Sequence, residues 1–314
     1  MIRILITGGA GYIGNILCRQ LLKLKKYKIT VLDNFLFQQQ NALLDIITDA
    51  NFDIIKGDVR DLGIFRKLIL DNDIIIPLAA IVGAPACERD KLLATEVNLQ
   101  QIINIRKNIS KDQIVILPIT NSGYGFGTTE KYFNEMSKLN PISHYGKLKV
   151  EAEKIMLDFD NFISLRLATV FGVSNRMRID LLVNDFVYRA LKDKYVLLFE
   201  SHFKRNFIHI DDVASVFCFF IDNFTKNKNN IFNVGLDDAN LSKKELCELI
   251  SKEISDFIFL ESNFRKDPDQ RNYIVSNKKL LETGWRPKKN MNEGIKELIK
   301  CYKYFEINNN KNFV

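Results

Sequence analysis

Short apolar runs alternate with longer amphipathic segments through the first half of the chain. Residues 2–6, 29–33, 52–56, 73–77 and 113–117 are brief runs rich in β-branched side chains. They are too short for helices and suit strands buried on both faces. Between them, residues 15–25, 42–48, 62–70 and 91–107 carry helical spacing. Such alternation predicts a parallel sheet with helices on both faces, and ligands held at the carboxyl ends of its strands. The second half reads less evenly. Strands are expected at 162–167, 196–199, 207–210 and 231–234, and helices at 180–192, 212–224, 242–254 and 292–305. Ser242 with Glu245 forms a capping box for one of these helices. The Asn-rich tail 308–314 is expected to fray. The fold class that follows is α/β, a doubly wound Rossmann-type sheet over residues 1–170. Elements from about 205–235 would complete it, and a smaller α/β lobe would fill 171–314.

The first apolar run leads straight into Gly8, Gly11 and Gly14, with Tyr12 and Ile13 between them at the start of a helical pattern. A strand, a glycine turn and a helix N-terminus together make an anion site. Free backbone N–H groups and the positive end of the helix dipole face a pyrophosphate, and missing Cβ atoms let it approach. Asp33 closes the second strand about 20 residues on, followed by Asn34, and suits ribose hydroxyls rather than a 2′-phosphate. The cofactor this points to is NAD. A ligand-free βα turn is the blander alternative, and strand, helix and acid in register disfavour it.

A chain of 314 residues with 46% hydrophobic and 26% charged residues has material for one large α/β unit or two lobes. The net charge of +7 comes from scattered lysines without a basic stripe interleaved with aromatics. Anionic small-molecule substrates therefore explain it better than nucleic acid. Cys18, Cys87, Cys218, Cys247 and Cys301 form no C-x-x-C pair, so reduced thiols and a cytoplasmic location are expected. Three histidines without ligand spacing argue against a metal site. The N-terminus reads as a strand rather than a signal peptide, and no apolar run is long enough to span a membrane.

Tyr145-Gly-Lys-Leu-Lys149 sets a phenol and an ammonium on one helix face. A nearby cation favours phenolate, which brings the Tyr pKa toward the range of a general base. Alone, this spacing usually marks a solvated helix face; behind a nucleotide-binding turn it points to chemistry. Upstream, Leu117-Pro-Ile-Thr120-Asn-Ser-Gly-Tyr124-Gly125 places hydroxyls at a strand end.

These motifs resemble the extended short-chain dehydrogenase/reductase family, which modifies nucleotide sugars. The resemblance covers almost the whole chain. It implies that Asp58 and Val59, in Gly57-Asp58-Val-Arg-Asp61, hold the adenine ring, and that Leu78, Ala79 and Ala80 let the cofactor backbone pass. Pro77 stands where the family usually has His. Asn98 occupies a family position near the catalytic Lys; its plainer role is a buried amide on backbone. Tyr145 would be the base, Lys149 its partner, and Thr120 the hydroxyl that orients the sugar, with Ser122 as fallback. Family dehydratases carry Asp-Glu after this Thr, whereas this chain has Asn121 and Ser122. The resemblance therefore implies hydride transfer at the sugar's C4 without dehydration, either as net oxidation or as 4-epimerisation through transient NADH.

Gly83 and Ala84 open the loop Gly83-Ala-Pro-Ala-Cys87, whose surroundings resemble a subgroup acting on GDP-linked sugars and heptoses. Arg205, in Phe203-Lys-Arg205-Asn-Phe-Ile-His, and Arg271, in Asp267-Pro-Asp-Gln-Arg271, match two arginines that clamp the nucleotide diphosphate in relatives. Asn206 replaces the usual Asp. Arg176 and Arg178 are further candidate substrate-phosphate contacts, and Thr169 falls where epimerases often have Asn. His144 and His209 read as structural. Relatives commonly dimerise through helices corresponding to 92–107 and 145–157, so a homodimer or larger homo-oligomer is expected. A non-catalytic NAD-sensing scaffold is the contrasting class, but such relatives typically lose the Tyr or Lys present here.

Overall fold

The computed structural model describes residues 1–127, 132–262 and 272–307. Its strands are β1 Ile2–Thr7, β2 Tyr27–Asp33, β3 Phe52–Lys56, β4 Ile74–Pro77, β5 Ile114–Thr120 and β6 Phe162–Leu167. They continue with β7 Thr169–Phe171, β8 Tyr195–Phe199, β9 Lys204–His209, β10 Asn230–Val234, β11 Asn240–Ser242 and β12 Ile258–Ser262. The first six join β10 in a parallel sheet of order β10-β6-β5-β4-β1-β2-β3. The order reverses at β1, and ligands of doubly wound sheets bind outside the strand ends at such a point. Ile4, Leu5 and Ile6 are fully buried, as a strand covered on both faces requires.

The helices are α1 Tyr12–Lys23, α2 Leu62–Asp71, α3 Ala84–Arg89, α4 Lys91–Thr95, α5 Gln101–Asn108 and α6 His144–Met156. Then come α7 Leu182–Lys192, α8 Ile210–Asp222, α9 Phe224–Asn227, α10 Lys243–Ser251, α11 Lys278–Glu282 and α12 Met291–Tyr304. One face of the sheet buries Leu17, Leu21, Val213 and Phe217 of α1 and α8. The other buries Phe65, Ile69, Ile102, Ile105, Ala152 and Met156 of α2, α5 and α6. A second core lies among α7, α10 and α12, around Phe171, Val187, Phe207, Leu246 and Leu298. There β11-β9-β7 and β12-β8 form two small sheets.

Several local expectations change. Residues 91–107 are not one helix: α4 and α5 are separated by a π-helical turn, Glu96–Gln100. A π turn inserts a residue and re-aims the side chains it carries, here Asn98. Residues 40–46 wind as a 3₁₀ turn rather than an α-helix. The segment 83–87, read as a loop, is mostly α3: Gly83 is its N-cap at φ +92° and Pro85 sits in its first turn. Strands β7, β11 and β12 carried no readable signal, since they are short or one-sided. The tail 308–314 lies outside the described residues.

Candidate active site

A cleft opens at the carboxyl edge of β1, β2 and β4. Gly8, Gly11, Tyr12, Ile13 and Gly14 line it, facing Asp33 and Asn34, Asp58 and Val59, and Leu78, Ala79 and Ala80. The glycines are dictated by contact. Gly8 has φ +69°, and a Cβ there would stand 2.7 Å from backbone atoms of Ala79. A Cβ on Gly14 would stand 2.5 Å from the Gly8 carbonyl oxygen. Gly11 caps α1 without a side-chain bond, so the helix presents bare N–H groups to the cleft.

Asp33 is only 5% exposed. It accepts from the Ala10 N–H at 3.0 Å and the Phe35 N–H at 2.9 Å. Burial nevertheless raises its carboxyl above the ordinary range. Further donors, such as a vicinal diol, would stabilise its anion. Asp58 is held near a pKa of about 2, chiefly by the Arg60 guanidinium. Asn34 Nδ2 donates to it at 3.0 Å, and Arg60 also reaches Glu96 at 3.0 Å.

The Ile81 peptide is held from both sides. Its N–H donates to Asn98 Oδ1 at 2.8 Å, and its carbonyl accepts from Asn98 Nδ2 at 2.8 Å. Cys87 Sγ donates to the same carbonyl at 3.1 Å. Gln101 Nε2 donates to the Ala79 carbonyl at 2.9 Å, and Gln101 Oε1 accepts from the Thr7 hydroxyl at 2.7 Å. The π turn is what lets Asn98 and Gln101 both face this strand end. Gln101 carried no sequence motif, and only the fold reveals it.

Ser143 caps α6 and accepts from the Gly146 N–H at 3.1 Å. Tyr145 follows in the first turn, half-buried against Cys87, Ala94 and Leu148. One turn on, buried Lys149 donates to the Pro118 carbonyl at 3.3 Å, next to the end of β5. Burial pulls its ammonium down from 10.5 to about 8. Thr120 ends β5; its Oγ1 accepts from the Ser122 N–H at 3.1 Å and donates to Ser122 Oγ at 3.0 Å. Asn121 is buried, and its amide finds no hydrogen-bond partner among the described residues.

The glycine cleft is thus lined by the residues of the strand–turn–helix unit, while Thr120, Tyr145 and Lys149 lie outside its lining, Lys149 reaching the β5 end. The sequence profile of the NAD dependent epimerase/dehydratase family matches residues 4–235. The chain belongs to this family. It is 25% identical to a putative UDP-glucose 4-epimerase of Methanocaldococcus jannaschii, over 98% of this chain and 99% of that one. It is 26% identical to UDP-glucuronic acid decarboxylase 6 of Arabidopsis thaliana, over 93% of this chain and 86% of that one. Among solved structures it resembles the Campylobacter jejuni UDP-Glc/GlcNAc 4-epimerase, with TM-score 0.82 and 26% identity over 96% and 99% of the two chains. It also shares its fold with UDP-glucuronic acid 4-epimerase of Bacillus cereus, with TM-score 0.84 and 23% identity over 96% and 99%.

Members of this family depend on NAD, and the cleft of Gly8, Asp33 and Asp58 fits that cofactor. The remaining candidates lie on several other elements. Gly83 and Ala84 cap and begin α3; Thr169 begins β7, in register with Phe207 of β9. Arg205 is buried on β9, opposite Leu241 of β11. Arg271 and its motif lie outside the described residues. Arg176 and Arg178 line the glycine cleft itself, on the same wall system as Asp33. His209 is buried, capping α8 through Nδ1 and facing Glu297 at 3.1 Å through Nε2. Among the described residues no cluster could hold a metal, and no helix is long and apolar enough to cross a membrane.

Sequence reading missed a buried polar network behind the pair. Glu153, two turns beyond Tyr145 on α6, receives Arg166 NH2 at 2.6 Å and the Ser164 hydroxyl at 2.6 Å. Arg166 also donates to the Tyr124 hydroxyl at 3.0 Å, which donates on to Asn233 Oδ1 at 2.7 Å. It clamps α6 to β6 and β10. The continuation of the helix phase, Tyr145–Lys149–Glu153, was the available signal.

Proposed function

We propose that this chain oxidises the C4 hydroxyl of a nucleotide-linked sugar with NAD. Its substrate would be GDP-D-glycero-α-D-manno-heptose and its product the 4-keto sugar. The observation that carries the reaction type is buried Lys149 one turn from Tyr145, beside a β5 end that offers Thr120 but no acid. Tyr145 takes the hydroxyl proton, and the Lys149 ammonium stabilises the phenolate that receives it. Thr120 orients the sugar oxygen. Bound NAD supplies the hydride acceptor. Water elimination needs a proton donor and a base next to Thr120, and neither the Asn121 amide nor the Ser122 hydroxyl is competent. The GDP-heptose assignment rests on the sequence around Gly83–Cys87, with Arg205 and Arg271 as diphosphate ligands and Gly83, Ala84 and Thr169 near the sugar.

A second reading is nucleotide-sugar 4-epimerisation with NADH retained, favoured by the UDP-glucose 4-epimerase names of full-length relatives. It requires the same residues. Residues 1–170 with about 205–235 would form the cofactor domain and the remainder the sugar lobe, in a cytoplasmic homodimer or larger homo-oligomer. Light scattering tests the dimer. The reaction is tested by the product mass after incubation with GDP-heptose and a route for reoxidising NADH. Loss of two hydrogens supports the dehydrogenase; unchanged mass with a new chromatographic peak supports the epimerase. Loss of water overturns the reading of Asn121 and Ser122. No turnover on any nucleotide sugar, with no cofactor bound, would favour a scaffold.

A further inference from the structure

Arg176 is reached from the second half of the chain, beyond β7, yet it lines the cleft built by the first half. The segment carrying it is bolted to the glycine turn. The Tyr12 hydroxyl donates to the Gly172 carbonyl at 2.7 Å, and Ser174 Oγ donates to the Tyr12 carbonyl at 2.9 Å. Asn15 Nδ2 donates to Ser174 Oγ at 2.7 Å, so the first turn of α1 holds this segment at three points. The Arg176 N–H donates to Ser174 Oγ at 3.3 Å, which fixes where the side chain departs. At its far end the guanidinium stands 5.3 Å from the Phe37 ring, on the loop that follows Asp33. The guanidinium donates to the Met177 carbonyl of its own segment, so it is held between that segment and the ribose-side loop, at the wall of the cleft.

The electrostatics favour an anion beneath it. Arg176 is 4% exposed and donates to the Met177 carbonyl, a neutral acceptor, while its neighbour Arg178 is engaged by Asp180 at 2.7 Å. Burial, and then the Arg178 charge, pull the Arg176 guanidinium below its ordinary pKa. A desolvated cation beside a second cation gains most from a doubly charged group, and the adjacent helix N-terminus has the same preference. Planar, multidentate guanidinium donors suit phosphate oxygens.

We propose that Arg176 binds the pyrophosphate of the dinucleotide, so that the segment from Gly172 to Arg176 straps the cofactor in place from the second half of the chain. This reassigns Arg176 from the substrate phosphates to the cofactor. It rests on the family's NAD dependence and is independent of which sugar is oxidised. A cofactor held this way should leave more slowly than one held by the glycine turn alone, under either reading of the reaction.

The test is calorimetric titration of the full chain with NAD, ADP and adenosine, without any sugar. Arg176→Gln should weaken NAD and ADP by roughly 10- to 100-fold, the range for a lost charge-assisted contact, and leave adenosine nearly unmoved. Arg176→Lys should lose less, because it keeps the charge without the fork. That variant serves if the Gln form does not fold. Bound NADH, followed by its fluorescence during displacement with excess NAD, should leave faster by a similar factor. Unchanged NAD and ADP affinity with weakened GDP binding would overturn the proposal and return Arg176 to the substrate. An equal loss for adenosine would also overturn it, showing that the side chain acts only through Phe37.

Discussion

Replacing Lys149 by Met should stabilise the cofactor-free protein while abolishing its chemistry. The ammonium is buried on α6, and its hydrogen bond to the Pro118 carbonyl is long at 3.3 Å. Burial lowers its pKa from 10.5 to about 8, which corresponds to a folding cost of about 3 kcal/mol at neutral pH. Below pH 8 both folded and unfolded chains carry the proton, and the cost is present in full. Between pH 8 and 10.5 the folded protein sheds its proton while the unfolded chain keeps it, so stability rises and the cost fades. Methionine removes the charge at similar volume and forfeits one hydrogen bond, worth about 1 kcal/mol. The variant should therefore be about 2 kcal/mol more stable near pH 7, with the margin falling below about 1 kcal/mol near pH 9.5. Urea unfolding of both proteins at the two pH values measures it. A variant no more stable at neutral pH, or a margin independent of pH, would refute the reasoning. The cost is one that a structural lysine would have no reason to carry, and the proposed role of Tyr145's partner supplies one.

Other outcomes follow from the same geometry. Tyr145→Phe should leave NAD binding intact and lower hydride transfer at least about 100-fold, read from nicotinamide absorbance; substantial turnover would remove Tyr145 from the mechanism. Gly8→Ala forces a Cβ to 2.7 Å from Ala79 at φ +69°, so it should cost about 1–3 kcal/mol and abolish NAD binding in calorimetry. Wild-type affinity in that variant would mean the β1 turn is not the pyrophosphate site. Glu153→Gln strips the anion from a pair with Arg166 that is nearly free of solvent, and should cost about 3–5 kcal/mol in urea unfolding. A loss under about 1 kcal/mol would show that the pair does not anchor α6.

The residues that could be read in advance are those whose role is set over a few neighbours. Gly8, Gly11, Gly14 and Asp33 occupy one strand–turn–helix–strand unit, where each requirement is imposed at short range: positive φ, a bare helix end, a carboxylate at a strand terminus. Tyr145 and Lys149 share a face because the helical repeat puts them there, whatever the rest of the chain does. The alternating runs likewise announced the parallel sheet, since a strand covered on both faces must be apolar throughout. Tertiary structure decided what depends on partners distant in sequence. The π turn at Glu96–Gln100 leaves no periodic mark, yet it aims Asn98 at Ile81 and Gln101 at Ala79. Strands β8 and β12 pair through Tyr195 with Ile258 and Leu197 with Leu260, apolar residues that stay exposed, so hydropathy could not orient them. Arg205, by its motif, and Arg176, by its charge alone, both read as candidate ligands of substrate phosphates. Only the fold places one on an interior strand and the other in the wall of the nucleotide cleft, because segments far apart in sequence meet there and local pattern does not record it.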